Sequence, residues 1–195
     1  DIKQFAGISP DNTQIKNYHA KGNAHLGDNL VLQYTILNAE KTKQGRGASA
    51  TRPPSTTWDQ GGPSPVHTGK VQYTLNDNNY VEASINNTGL GFFLEPQGGR
   101  GTQVDYEYAD GSWDNSYFYY LTDRPLWNFR LDGNTYLAGT NVDHEFKYGY
   151  SFRDAGVYSD SGIGGGIIGA FGNGAPVEAW LVGGAKINTT RQRNS

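Results

Sequence analysis

The stretch His144-Glu145-Phe146-Lys147-Tyr148-Gly149-Tyr150-Ser151-Phe152-Arg153 decides the fold. Phe146, Tyr148, Tyr150 and Phe152 alternate with Glu145, Lys147, Gly149, Ser151 and Arg153, so an extended chain presents one aromatic face and one polar or charged face. The same two-residue period returns at Leu30, Leu32, Tyr34 and Ile36, at Val71, Tyr73 and Leu75, at Val81, Ala83 and Ile85, and at Trp127, Phe129 and Leu131. Strands of a soluble sandwich alternate too, but they are usually shorter and favour Val, Leu and Ile inside. Long Tyr- and Phe-rich strands between large polar loops point instead to an antiparallel transmembrane β-barrel.

Composition agrees with a wall that needs apolar residues at only half of its strand positions. The chain of 195 residues has 27 Gly, 13 Tyr and only 35% hydrophobic residues, and its mean hydropathy is −0.66. A soluble domain of this length would normally bury more aliphatic material. No run approaches the roughly 20 apolar residues of a membrane-spanning helix, so insertion would have to use strands. Zero Cys excludes disulfides and thiolate metal sites. Lys and Arg number 16 against 19 acids, a net charge of −3, which leaves no basic surplus for a phosphate backbone, and no nucleic-acid partner is expected. Asp1 is not an initiator Met, so any signal peptide is expected outside this sequence.

Turn signals divide the chain. Alternation from Gln14 to Ala24 predicts a first strand, Leu26-Gly27-Asp28-Asn29 a tight turn, and Leu30 to about Asn38 a second strand. The Gly- and Pro-rich stretch from Glu40 to His67 predicts a long loop. Strands on either side of Asn76-Asp77-Asn78-Asn79 follow, then a second long loop from about Phe93 to Asn115. A fifth strand runs from Tyr117 to Leu131 with a bulge expected at Pro125. Residues 138–143 form a short turn, the aromatic strand comes next, Ser161 to Gly174 reads as a mobile glycine-rich loop, and a seventh strand is expected from Val177. Short turns at one end and long loops at the other are the pattern of outer-membrane barrels, whose long loops face the cell exterior.

No catalytic, cofactor or metal constellation stands out. Asp105 with Glu107 and Asp110 with Asp114 are carboxylate pairs of the kind used in glycoside hydrolysis or Ca²⁺ binding, but they lie in a polar loop where solvated acids are expected. His19, His25, His67 and His144 lack metal-ligand spacing. Lys16, Lys21, Lys70, Lys147, Arg130 and Arg153, with Glu82, Asp132 and Glu145, are expected to alternate away from lipid and line a wet lumen. Trp127 suits an interface belt. Trp58 and Trp113 fall in loops and are candidate ligand-facing aromatics.

Gly45-Arg46-Gly47-Ala48-Ser49, Arg52-Pro53-Pro54, Thr57-Trp58-Asp59-Gln60, Pro96-Gln97-Gly98-Gly99, Thr122-Asp123-Arg124-Pro125, Leu131-Asp132-Gly133, His144 to Tyr150 and Phe152-Arg153-Asp154 occur in an order and spacing that resemble the barrel of Oar-like TonB-dependent receptors. The resemblance covers residues from about 40 to 155. It implies a single-chain barrel of about 22 strands with a plug domain that contacts TonB, of which residues 1–195 would be an internal piece of six or seven strands, without the plug. The end at Arg191-Gln192-Arg193-Asn194-Ser195 lacks the terminal aromatic common in such barrels. It further implies an outer-membrane transporter, not an enzyme, in contact with lipid and with a small-molecule, glycan or peptide ligand. The alternative from the residues alone is a soluble or surface β-sandwich that binds carbohydrate through Tyr and Trp platforms.

Overall fold

Alternating side chains leave the backbone extended, and its N–H and C=O groups are then satisfied only by neighbouring strands. The computed structural model describes residues 12–183 and 186–195. It is all-β: β1 (Asn12–Leu26), β2 (Leu30–Arg46), β3 (Trp58–Gly61), β4 (Pro65–Asn76), β5 (Asn79–Pro96), β6 (Val104–Glu107), β7 (Trp113–Asp114), β8 (Phe118–Leu137), β9 (His144–Ile163), β10 (Ile167–Gly172), β11 (Ala175–Leu181) and β12 (Lys186–Asn194). Among the described residues no α-helix occurs, and two 3-10 turns, Pro54–Thr56 and Gly164–Gly166, interrupt the loops.

Eight strands form one long antiparallel sheet in seven positions, because β3 and β4 lie end to end between β2 and β5. The order is β1, β2, β3 with β4, β5, β8, β9, β12. Among the described residues the sheet does not close, since β1 pairs only with β2 and β12 only with β9. Both edges carry unpaired backbone groups among the described residues.

The turns at one end are short. Gly27 takes the left-handed conformation (φ 67) that closes the β1–β2 hairpin. The Asn76 side chain accepts from the Asn78 N–H at 3.0 Å and from Asn79 Nδ2 at 2.7 Å, which shapes the turn between β4 and β5.

Several boundaries differ from the sequence reading. β2 continues to Arg46 and β5 to Pro96, because the pairs Lys41 with Ile15 and Phe93 with Leu121 extend the ladders past the last clear alternation. Pro125 causes no bulge: the β8–β9 register is the same on both sides of it, and only the rungs at Arg124 and Pro125 are missing. The missing proline N–H is the donor toward β9. Gly156 opposite it makes room for the ring, since a Cβ there would meet Pro125 Cγ at 3.3 Å. The strand expected from Val177 is β11, which belongs to a second sheet, and the seventh position of the long sheet is taken by the polar strand β12.

Directly paired residues share a face. One row runs Ala24, Leu32, Val71, Ala83, Leu131, Tyr150 across six strands. The next runs Gly22, Tyr34, Gly69, Ile85, Phe129, Phe152, and the one on the turn side Leu26, Leu30, Tyr73, Val81, Gly133, Tyr148. The intervening rows are polar, as in Asn23, Gln33, Lys70, Ser84, Arg130, Ser151. The apolar face is left uncovered: Leu131 is 43%, Ile85 47%, Tyr150 52% and Tyr148 56% exposed.

Burial is found at the loop end. Val104 and Ala170 are fully buried and Ile168 is 8% exposed, and all three lie in a small sheet of order β11, β10, β6, β7. Its β6–β10 pair is parallel, the other pairs antiparallel. Two of the three long loops are thus ordered as a cap sheet, and the turn Pro54–Thr56 of the first packs against it.

Candidate functional site

The cap is assembled by backbone bonds between loops far apart in sequence. Gln97 N donates to Thr57 O at 2.9 Å, Gly98 N to Ser55 O at 2.7 Å, Trp113 N to Thr51 O at 2.9 Å and Gly165 N to Arg100 O at 2.7 Å. Glycines permit these approaches. Gly165 (φ 59) lies so close to Gln103 that a Cβ would meet its N at 2.9 Å. The stretch Ser161 to Gly174 is therefore the end of β9, a packed turn and β10, with Gly162, Gly164, Gly165 and Gly169 serving close contact. Arg100 chelates Glu95 through two Nε contacts of 2.8 Å, approaches Asp160 at 3.8 Å and covers the Tyr119 ring at 4.6 Å, which ties the cap to β5, β8 and β9.

A ladder of rings runs through the cap. The Arg52 guanidinium lies against two rings that meet edge-on 5.4 Å apart, Trp58 (4.2 Å) and Tyr117 (3.9 Å). Tyr117 meets Trp113 edge-on at 5.1 Å, Trp113 meets Tyr106 at 4.7 Å, and Tyr106 meets Tyr108 at 5.4 Å and Trp180 at 6.2 Å. Trp58 Nε1 donates to Phe118 O at 2.6 Å, and burial lowers the Arg52 pKa from its usual range. Trp58 and Trp113 are thus joined through Tyr117, both only partly exposed. The open end of the ladder is Tyr108, 47% exposed, with Trp180, 36% exposed. The sequence marks none of Arg52, Tyr106, Tyr108 and Tyr117 as a site residue: Arg52 stands there only in a motif and Tyr117 only at a strand start. The alternation Val104, Tyr106, Tyr108 was a signal, but it lay inside a segment read as loop.

The loop acids hold turns. Asp105 accepts from Gln103 Nε2 at 2.8 Å and also from Asn115 Nδ2, Asp110 from Ser112 N at 2.9 Å, and Asp114 from Ser55 Oγ at 3.0 Å. Among the described residues no group of three or more His, Cys, Asp or Glu is placed to hold a metal ion. Glu107 accepts from the N–H groups of Ala109, Asn173 and Gly174 at 2.8–2.9 Å, joining the turn after β6 to the β10–β11 turn. Those bonds, Ala109 first, hold its carboxyl below the ordinary carboxylate value of 4.5. A depressed pKa contributes stability that is present above the unfolded value and is lost as pH falls through the folded one. Acidification below about 4.5 is therefore expected to lower the protection of the Asn173 and Gly174 amides, that is, their exchange relative to the unfolded-chain rate at the same pH, in the native protein. Glu107→Gln, with no charge to lose, should exchange faster at neutral pH and show little of this acid step. Identical pH profiles would refute the assignment.

On the long sheet, register puts Arg130, Asp132, Glu145, Lys147 and Arg153 together on the polar face. Arg130 bonds Asp132 at 2.5 Å, Lys147 approaches Glu145 at 3.2 Å, and Lys70 approaches Glu82 at 2.7 Å. Lys16 differs: it pairs with Glu40 on the face of Tyr18 and Ala20, because it falls at an even position of β1. His67 Nδ1 and Tyr34 Oη are 2.7 Å apart on the apolar face. Under the cap, the polar face holds a concavity of about 550 Å³ lined by Leu90, Phe92 and Tyr120 together with Lys41, Gln60 and Arg124. Apolar side chains beside Lys41, Arg124 and the acid Glu40 suit an amphipathic solute.

No family model, curated protein or solved structure matches the chain.

Proposed function

We propose that this chain forms part of the wall and outer loops of an outer-membrane receptor of the TonB-dependent, Oar-like kind. The observation that carries this reading is the uncovered apolar face that stays in register across six strands while the opposite face is occupied by ion pairs and amides. From the Trp127 row to the Thr135 row is eight residues, about 26 Å along a strand, or about 20 Å once tilted by about 40°. That approaches the apolar band of about 25 Å in outer-membrane barrels. Lipid would face Leu131 and Tyr150, and a wet lumen would face Arg130, Asp132, Glu145, Lys147 and Arg153. Further strands would complete a closed sheet on the open edges of β1 and β12.

In this reading the segment binds and passes a ligand and catalyses nothing. The cap, with Tyr108 and Trp180 open to solvent, and the concavity beneath it are the capture surfaces. Energy would reach the barrel through a plug domain and TonB, neither of which this sequence supplies. A carbohydrate-binding sandwich would need a second layer over the apolar face, and the described residues place none there.

Trp127, 49% exposed on the apolar face, provides the test. In the whole protein reconstituted with lipids brominated near the headgroup end of the acyl chains, the native protein is expected to be quenched and Trp127→Phe to lose the share that Trp127 contributes, since Trp113 and Trp180 lie in the cap and Trp58 packs under it. Solubility without detergent, with quenching absent, would refute the membrane reading and favour the sandwich.

A further inference from the structure

β12 brings two arginines to the apolar face. Arg193 pairs directly with Asp154 and Arg191 with Gly156, and Asp154 pairs with Trp127. Both guanidiniums therefore stand at the level of Trp127, on the loop side of the apolar rows. Arg191 Nε donates to Asp154 Oδ1 at 2.8 Å and its Nη2 to Oδ2 at 2.5 Å, while Arg193 Nε approaches Oδ2 at 3.3 Å. The Asp154 side chain is only 15% exposed, whereas those of Arg191 and Arg193 are 54% and 60% exposed.

One carboxylate thus aims two guanidiniums and neutralises one of them. A guanidinium has five N–H donors, and Asp154 takes two from Arg191 and one from Arg193, so most of the forked donors remain open. Trp127 and Tyr158, 49% and 41% exposed, flank them on the same face. Asp123, on the same face, belongs to the row of Tyr158 one step nearer the loops and is not bonded to either arginine; the excess of one guanidinium over Asp154, the open guanidinium forks and the amphipathic rings, placed where an apolar surface ends, match a ligand with an anionic head and a hydrocarbon body.

We infer that Arg191 and Arg193, positioned by Asp154, bind the phosphate headgroup of a membrane lipid at the loop-side rim of the apolar face. The inference rests on the membrane-wall reading. The phosphate takes the guanidinium donors, and its acyl chains lie along the apolar rows below, beside Phe129 and Phe152. A free phosphate ion would use the donors but gain nothing from the apolar rows.

The experiment uses the whole protein in detergent micelles, with phosphatidic acid and phosphatidylcholine of matched chains as competing probes followed by native mass spectrometry. Phosphatidic acid should be retained at least about fivefold more strongly, which corresponds to one net cation at a membrane surface. Arg191→Gln with Arg193→Gln should abolish that preference, and Arg191→Lys with Arg193→Lys should keep part of it. Inorganic phosphate at millimolar concentration should not displace the lipid; displacement would show an ion site and overturn the lipid assignment. Equal retention of the two lipids by the native protein overturns the proposal even where the variants fail to fold. Brominated-lipid quenching of Trp127 separates the two failures: quenching with equal retention leaves the membrane wall and removes the headgroup site, while absent quenching removes both.

Discussion

On the proposed membrane-wall reading, Leu131→Arg is expected to destabilise the protein in lipid by about 2–4 kcal/mol, the cost of a cation at the lipid-facing midplane of a barrel. Leu131 lies four residues from Trp127 and four from Thr135, in the middle of the apolar rows, with Ala83 and Tyr150 as its paired neighbours. No acid shares its row to compensate the charge. Asn134→Arg, three residues along the same strand, is the control. Asn134 faces the other side and donates to Glu145 at 2.8 Å, a bond that a guanidinium reproduces, so a change within about 1 kcal/mol is expected. Urea unfolding of the whole protein in lipid vesicles reads the difference. Equal effects at the two positions would mean that the apolar face does not meet lipid.

That contrast depends on information legible in the chain. Phe146 to Phe152 and Leu30 to Ile36 declare their own period, and Gly27 and Asn76 mark the hairpins that fix the register between them. Once register is fixed, each apolar strand aligns its neighbours, so the polar and apolar rows follow from local alternation. β12 was not legible because Asn188-Thr189-Thr190-Arg191-Gln192-Arg193 has no apolar period, and its pairing is imposed by β9. The cap was hidden for a different reason. Val104, Ile168 and Ala170 are buried, yet they lie in segments broken by Gly, Ser and Thr, and Val104 and Ile168 find each other only across two loops. The β6–β10 pair is parallel, and such pairs carry no hairpin signal. Trp58 and Trp113 were visible as loop tryptophans, but only the tertiary contacts of Tyr117 join them.

The point where the three loops meet should also be the most sensitive to a single added carbon. Gly98→Ala is expected to open the cap at a cost of about 3 kcal/mol, the upper part of the range for overpacking, because the obstructing atoms are backbone. A Cβ at Gly98 would lie 1.6 Å from Asn115 O, 2.7 Å from its carbonyl carbon and 2.9 Å from Ser116 Cα. None of these can swing aside as a side chain would. Asn115 already holds a positive φ of 64, and Ser116 is fully buried with its Oγ donating to Gly99 O at 2.6 Å. Retreat of residues 115–116 would also disturb Tyr117, and with it the contact of Arg52 with the Trp58 and Tyr117 rings. Gly101, where a Cβ meets nothing within 4 Å, is the matched control, and its Ala variant should behave as the native protein. Amide exchange distinguishes the outcomes. In Gly98→Ala, protection should fall at Gly98, Trp113 and Gly165, whose N–H groups tie the loops together, and should persist at the β8–β9 rungs around Phe129 and Phe152, which the cap does not support. Equal protection in the two alanine variants would show that the loops are not packed as described, and a simultaneous loss at Phe129 would show that cap and sheet unfold as one unit.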